Sequence, residues 1–80
     1  MTFEERRILR EKLIRESYNH HFENVEEEFI FQINWGNRES EETHLAYRYL
    51  EEKGLIYYIS TRDGKYEVRI NGHGIDHVEK

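Results

Sequence analysis

Val25-Glu26-Glu27-Glu28-Phe29-Ile30-Phe31-Gln32-Ile33-Asn34-Trp35-Gly36-Asn37 is the stretch whose reading decides the fold. It carries two periodicities at once. Val25, Phe29 and Ile33 fall four apart, with Ile30 beside them, which is the spacing of one helical face. Asn24 stands in front as a cap, and Glu26 and Glu27 would occupy the positive end of the helix dipole. Phe29, Phe31, Ile33 and Trp35 also alternate with period two, which reads as a strand over 28–35. The helix is the expectation taken forward, because of the elements that follow it. Trp35-Gly36-Asn37 then becomes its end, with Gly36 in the left-handed cap.

Upstream, residues 2–20 read as a first helix. Thr2 followed by Glu5 has the capping-box form, Phe3 opens the apolar pattern, and Leu9, Leu13 and Ile14 recur at helical spacing with Ile8 and Tyr18. Arg6, Arg7, Arg10, Lys12 and Arg15 alternate with Glu4, Glu5, Glu11 and Glu16, the pattern of a solvated, ion-paired face. Downstream, Ser40 caps a further helix over 40–53, with Ala46, Tyr47 and Leu50 inward and Gly54 closing it. Two runs rich in Ile, Tyr and Val, 55–61 and 65–70, flank Asp63-Gly64 and read as a β-hairpin. After Gly72 and Gly74, Ile75 and Val78 lie three apart in a tail suited to a short final helix.

Two stretches carry a family resemblance. Tyr49-Leu50-Glu51-Glu52-Lys53-Gly54-Leu55-Ile56 resembles the close of a recognition helix running into the first wing strand of winged-helix regulators. Tyr66-Glu67-Val68-Arg69-Ile70-Asn71-Gly72-His73-Gly74-Ile75-Asp76 looks like the second wing strand and the step into a C-terminal helix, with Asn71 where that superfamily often has threonine. The resemblance covers roughly the last forty residues. It implies an α+β winged-helix fold: a three-helix core, a two-stranded antiparallel hairpin as wing, and a short C-terminal helix, in one domain over 1–80. It also implies a small bacterial or phage transcriptional regulator that binds double-stranded DNA or pairs as a homodimer.

Composition narrows the classes. Hydrophobic and charged residues each make up 36 % of the chain, yet six Tyr, four Phe and one Trp mark it as a folding sequence. With no cysteine, disulfides and thiolate metal sites are excluded. No apolar run approaches the roughly 20 residues of a membrane span, and the first residues lack the apolar stretch of a signal peptide, so the cytoplasm is the expected location.

A net charge of −5 sits poorly with a phosphate-binding surface. The stretch 21–37 has no Lys or Arg against four acidic residues, and 38–54 has three against five. For DNA, Arg48 on the outward face of the third helix and Arg62 and Lys65 flanking the hairpin tip are the expected contacts. His44, placed on that outward face beside Glu41 and Glu52, and Arg38 at the preceding turn are secondary. The alternative is a protein-interaction module acting through Leu45, Tyr49 and Tyr58, since tyrosine buries large contact area at little entropic loss.

Signals for chemistry are weak. His73 and His77 lie four apart with Asp76 adjacent, a spacing that holds a metal only if a third ligand converges. His20 and His21 mark a helix end, where partial positive charge suits the dipole. The Glu26-Glu27-Glu28 run lacks calcium-loop spacing. No nucleophile elbow or phosphate-cradling glycine loop occurs, so neither an enzyme nor a cofactor is expected.

Overall fold

A computed structural model describes residues 1–80. The order is α1 (Phe3–Glu23), β1 (Phe29–Gln32), α2 (Arg38–Glu52), β2 (Ile56–Arg62), β3 (Lys65–Ile70) and α3 (Gly72–Glu79). The class is α+β, with three helices and one antiparallel sheet in the strand order β1-β3-β2.

Helix α1 opens with the expected capping box. The Glu5 amide donates to Thr2 Oγ1 at 3.2 Å, and the Thr2 amide donates to Glu5 Oε1 at 2.8 Å. Leu13, Ile14 and Ser17 are buried, and Leu9 and Tyr18 pack beside them. The helix runs on to Glu23, past the expected end at His20. Ile8, expected with the apolar face, is exposed, because helical spacing sets it opposite Ser17.

The stretch 25–35 is not a helix, which corrects the expectation. Phe29–Gln32 pairs antiparallel with β3, Phe29 opposite Val68 and Gln32 opposite Lys65. The Ile33 amide continues the contact by donating to the Gly64 carbonyl at 2.9 Å. Period two prevails because β3, paired with β2 on one side, offers an open edge on the other. A strand there satisfies backbone groups and packs Phe29 and Phe31 onto the core, leaving Ile30 and Gln32 outward. A helical face would have needed Val25, which is 79 % exposed.

The expected three-helix core is therefore replaced by two long helices and a sheet, and the hairpin is two strands of three. Trp35-Gly36 forms a turn with Gly36 at φ +92°, and α2 starts at Arg38 with Asn37 rather than Ser40 as its cap. The Asn37 carboxamide oxygen accepts from the Ser40 amide at 3.0 Å.

The hairpin and tail follow the sequence closely. Asp63 (φ +46°) and Gly64 (φ +76°) are both left-handed, the two-residue turn that suits strand twist. The core joins Leu13 and Ile14 of α1, Ala46, Tyr47 and Leu50 of α2, Ile56 and Tyr58 of β2, and Val68 and Ile70 of β3. Asn71 couples two chain corners. Its oxygen accepts from the Gly74 amide at 3.0 Å, while its amide donates to the Gly54 carbonyl at 2.9 Å. Helix α3 packs Ile75 and Val78 onto the body, and the Tyr18 hydroxyl donates to Glu79 at 2.6 Å.

Gly74 permits this closure. A Cβ there would overlap the Leu55 carbonyl oxygen and approach Ile70 Cγ1 to 2.6 Å, whereas one at Gly72 would meet nothing within 4 Å. Gly74→Ala is expected to cost about 1–3 kcal/mol in urea unfolding, the range for overpacking. Gly72→Ala should be neutral or stabilising by up to ~1 kcal/mol. Equal effects of the two would show that α3 is not seated as described.

Candidate functional site

Helix α2 is buried on a wider arc than its Ala46-Tyr47-Leu50 stripe implies, because it packs against α1 on one side and the sheet on the other. His44 belongs to the sheet side. Expected to face outward, it is 7 % exposed, with Nδ1 2.8 Å from the Tyr58 hydroxyl. Its ring lies 5.1 Å from that of Tyr66 and 5.5 Å from that of Trp35. Tyr58, expected at an exposed interface, is also buried and stacks on Tyr66 at 4.4 Å and on Tyr47 at 5.2 Å. Strand alternation turns Tyr57 outward instead. His44 and Tyr58 are therefore corrected from contact residues to core.

Burial, and secondarily the charge of Arg48, holds the His44 pKa below the usual histidine value. Burial likewise pushes the Tyr58 and Tyr47 hydroxyls well above the phenol range. With both groups neutral, the Tyr58 hydroxyl can donate to Nδ1 in the tautomer protonated at Nε2.

The remaining expected residues stay at the surface. Arg48 is half-exposed and lies 3.9 Å from Glu51. Arg38 opens α2 in solvent. Arg62 and Lys65 face each other across the hairpin tip, exposed and without an ion pair. Leu45 is 59 % exposed, and Tyr49 is 37 % exposed at the seam between α1 and α2.

That seam draws in Arg6 and Arg10, which the alternating charge pattern assigns to a solvated face. Arg6 donates to Glu42 through Nε at 3.1 Å and Nη2 at 2.8 Å, a bidentate tie between the helices. One turn later the Arg10 guanidinium lies over the Tyr49 ring, 3.8 Å from its centroid, and Lys53 Nζ is 5.5 Å from the same centroid. Arg10 Nε is buried without a hydrogen-bond partner. Cavities open on both sides of Arg10. The smaller, about 350 Å³, is bordered by Leu9, Glu42 and Leu45. The larger, about 590 Å³, is bordered by Arg7, Tyr49, Lys53, Leu55 and His77. The available signal was spacing: Arg6, Arg10, Leu13 and Ser17 share one helical stripe, which places two arginines on an inward line.

A third cavity, about 350 Å³, lies where α1 meets the sheet, beside His20, His21 and the Glu26-Glu27-Glu28 run. His20 Nε2 is 2.7 Å from the Glu27 carbonyl oxygen, and its ring stacks on Phe29 at 4.9 Å. His77 Nε2 lies 2.9 Å from Glu11 Oε1. No three His, Asp or Glu side chains converge as a metal site. No helix is long and apolar enough to cross a membrane.

Comparison with known protein families, curated proteins and solved structures finds no match to this chain.

The depressed pKa of His44 makes stability depend on pH. The unfolded chain binds this proton more readily than the folded one, so the residue's contribution is complete above the ordinary histidine value of about 6.5. It declines as pH falls below that value. Thermal melts of the wild type minus those of His44→Gln should give a difference that is flat above this point and shrinks below it. A difference independent of pH would show that the imidazole is not held neutral by the fold.

Proposed function

We propose that the chain is a protein-interaction module, a winged-helix-like domain that engages a partner through the α1–α2 seam, with Leu45 and Tyr49 as its anchors. The observation that carries this reading is Tyr49, which stays more than a third exposed at the centre of the seam with a guanidinium fixed on its ring. An aromatic held rigid at a surface loses little entropy on binding. Leu45 adds apolar area one helical turn away.

A second reading keeps duplex DNA as the target. It is favoured by Arg62 and Lys65, two exposed cations free of carboxylates at a projecting tip. Against it stand the acidic run of α2 and the pairing of Arg48 with Glu51, which together leave few cations for phosphate. The missing second helix also removes one half of a helix-turn-helix.

One paired experiment separates the readings. Capture of proteins from the producing cell should yield a partner that is retained by the Arg62→Ala/Lys65→Ala double variant and lost with Tyr49→Ala or Leu45→Ala. Anisotropy with mixed-sequence duplex DNA should show no binding at low salt. Salt-sensitive DNA binding that the double variant weakens would overturn the protein-interaction reading in favour of the hairpin tip.

A further inference from the structure

The larger cavity of the seam is a basic pocket on an acidic protein. The chain has 17 acidic against 12 basic residues, yet Arg7, Arg10 and Lys53 all border this one cavity. Glu11, the carboxylate on its wall, lies 2.9 Å from His77 Nε2, within hydrogen-bond distance. Arg7 pairs with Glu4 through a largely solvated contact, which a ligand can readily replace. Arg10 and Lys53 have no carboxylate partner at all and converge on the face of Tyr49.

The geometry of Arg10 is specific. With its Cζ 3.8 Å from the Tyr49 ring centroid, the guanidinium keeps in-plane donors that can meet both oxygens of a carboxylate. Its Nε is already shielded from solvent without a hydrogen bond, an unusual condition for a native polar atom. Leu50 and Leu55 supply apolar wall beside these cations. The volume of about 590 Å³ falls within the ~300–1,000 Å³ of ligand-sized clefts.

We propose that this cavity receives an acidic segment of the partner polypeptide, an Asp or Glu carboxylate held by Arg10 and Lys53 with an adjacent apolar side chain against Tyr49 and Leu55. The assignment rests on the seam being the protein-contact surface. Charge decides the occupant. A single carboxylate flanked by apolar residues matches a cationic spot with apolar walls. A nucleic acid would run its further phosphates over Glu51 and Glu52 on the exposed side of α2 and be repelled.

The test selects ligands for the intact chain from a displayed random-peptide library and titrates the winners as labelled synthetic peptides. The winners are expected to share an Asp or Glu beside Leu or an aromatic residue. Changing that acid to its amide should weaken binding by about tenfold or more, as should Arg10→Gln or Lys53→Gln. The amide peptide and the exposed Lys53 keep the result interpretable if Arg10→Gln disturbs folding. Addition of a winning peptide should also shift the Arg10 Nε–H resonance in a proton–nitrogen NMR spectrum.

Winners that carry no acid but lose binding with Tyr49→Ala would overturn the carboxylate assignment and leave the contact surface standing. Winners indifferent to Tyr49→Ala would remove both. Displacement of a winning peptide by single- or double-stranded mixed-sequence DNA at physiological salt would overturn the assignment in favour of a nucleic acid.

Discussion

The aromatic layer between α2 and the sheet is the constraint on which the rest of the structure depends. Tyr58 is at its centre, stacked between Tyr66 and Tyr47, with the imidazole of His44 closing the layer through a 2.8 Å hydrogen bond. Each such ring buries a large apolar area, alongside the seven aliphatic residues of the core. The polar atoms of the rings must still be satisfied, because an orphaned hydroxyl in this interior would cost about 1–3 kcal/mol. The His44–Tyr58 bond meets that requirement for Tyr58 and ties α2 to β2. The position of α2 in turn sets Gly54, the corner held by Asn71, and hence the seating of α3.

This constraint also explains which elements were legible in the sequence. Local signals carried α1, the hairpin, the left-handed Gly54 and the short last helix, because capping boxes, two-residue turns and helical spacing are written within a few residues. The chain from Val25 to Asn37 is different. Its two periodicities are equally well formed locally, and the choice falls to a long-range partner, the open edge of β3. Phe31 belongs to the aromatic layer, 5.4 Å from Tyr47, and only the strand delivers it there. The bulk and β-propensity of Phe29-Ile30-Phe31 were the local hint, and non-local pairing decided the outcome.

At the candidate site, each departure from the expected placement has its own physical cause. Helical stepping of about 100° per residue from Ala46, Tyr47 and Leu50 is the basis for expecting His44 on the outward face. A helix held between another helix and a sheet buries a wider arc than that stripe, so His44 joins Tyr47 inside. Tyr57 and Tyr58 were separable in principle by strand alternation, but the parity could be set only once Ile56 was known to lie in the core. Arg10 reads as part of a solvated face because its neighbours are charged. In a run alternating Arg and Glu, composition suggests solvent, and helical phase alone shows that this arginine points inward.

The two sides of α2 are sealed by different chemistry, and this asymmetry is why binding potential concentrates on one of them. Against the sheet the contact is close-packed rings, which leave no room for a ligand. Against α1 it is a bidentate ion pair at Arg6–Glu42 and a stacked cation at Arg10–Tyr49, with open volume on both sides of Arg10. Long polar side chains bridge a gap between helices without filling it, since their stems pack while their heads remain hydrated. The seam therefore holds the helices at a fixed spacing while keeping charged donors, an aromatic face and apolar wall within reach of a ligand. A seam of leucines would have secured the same two helices and closed that volume.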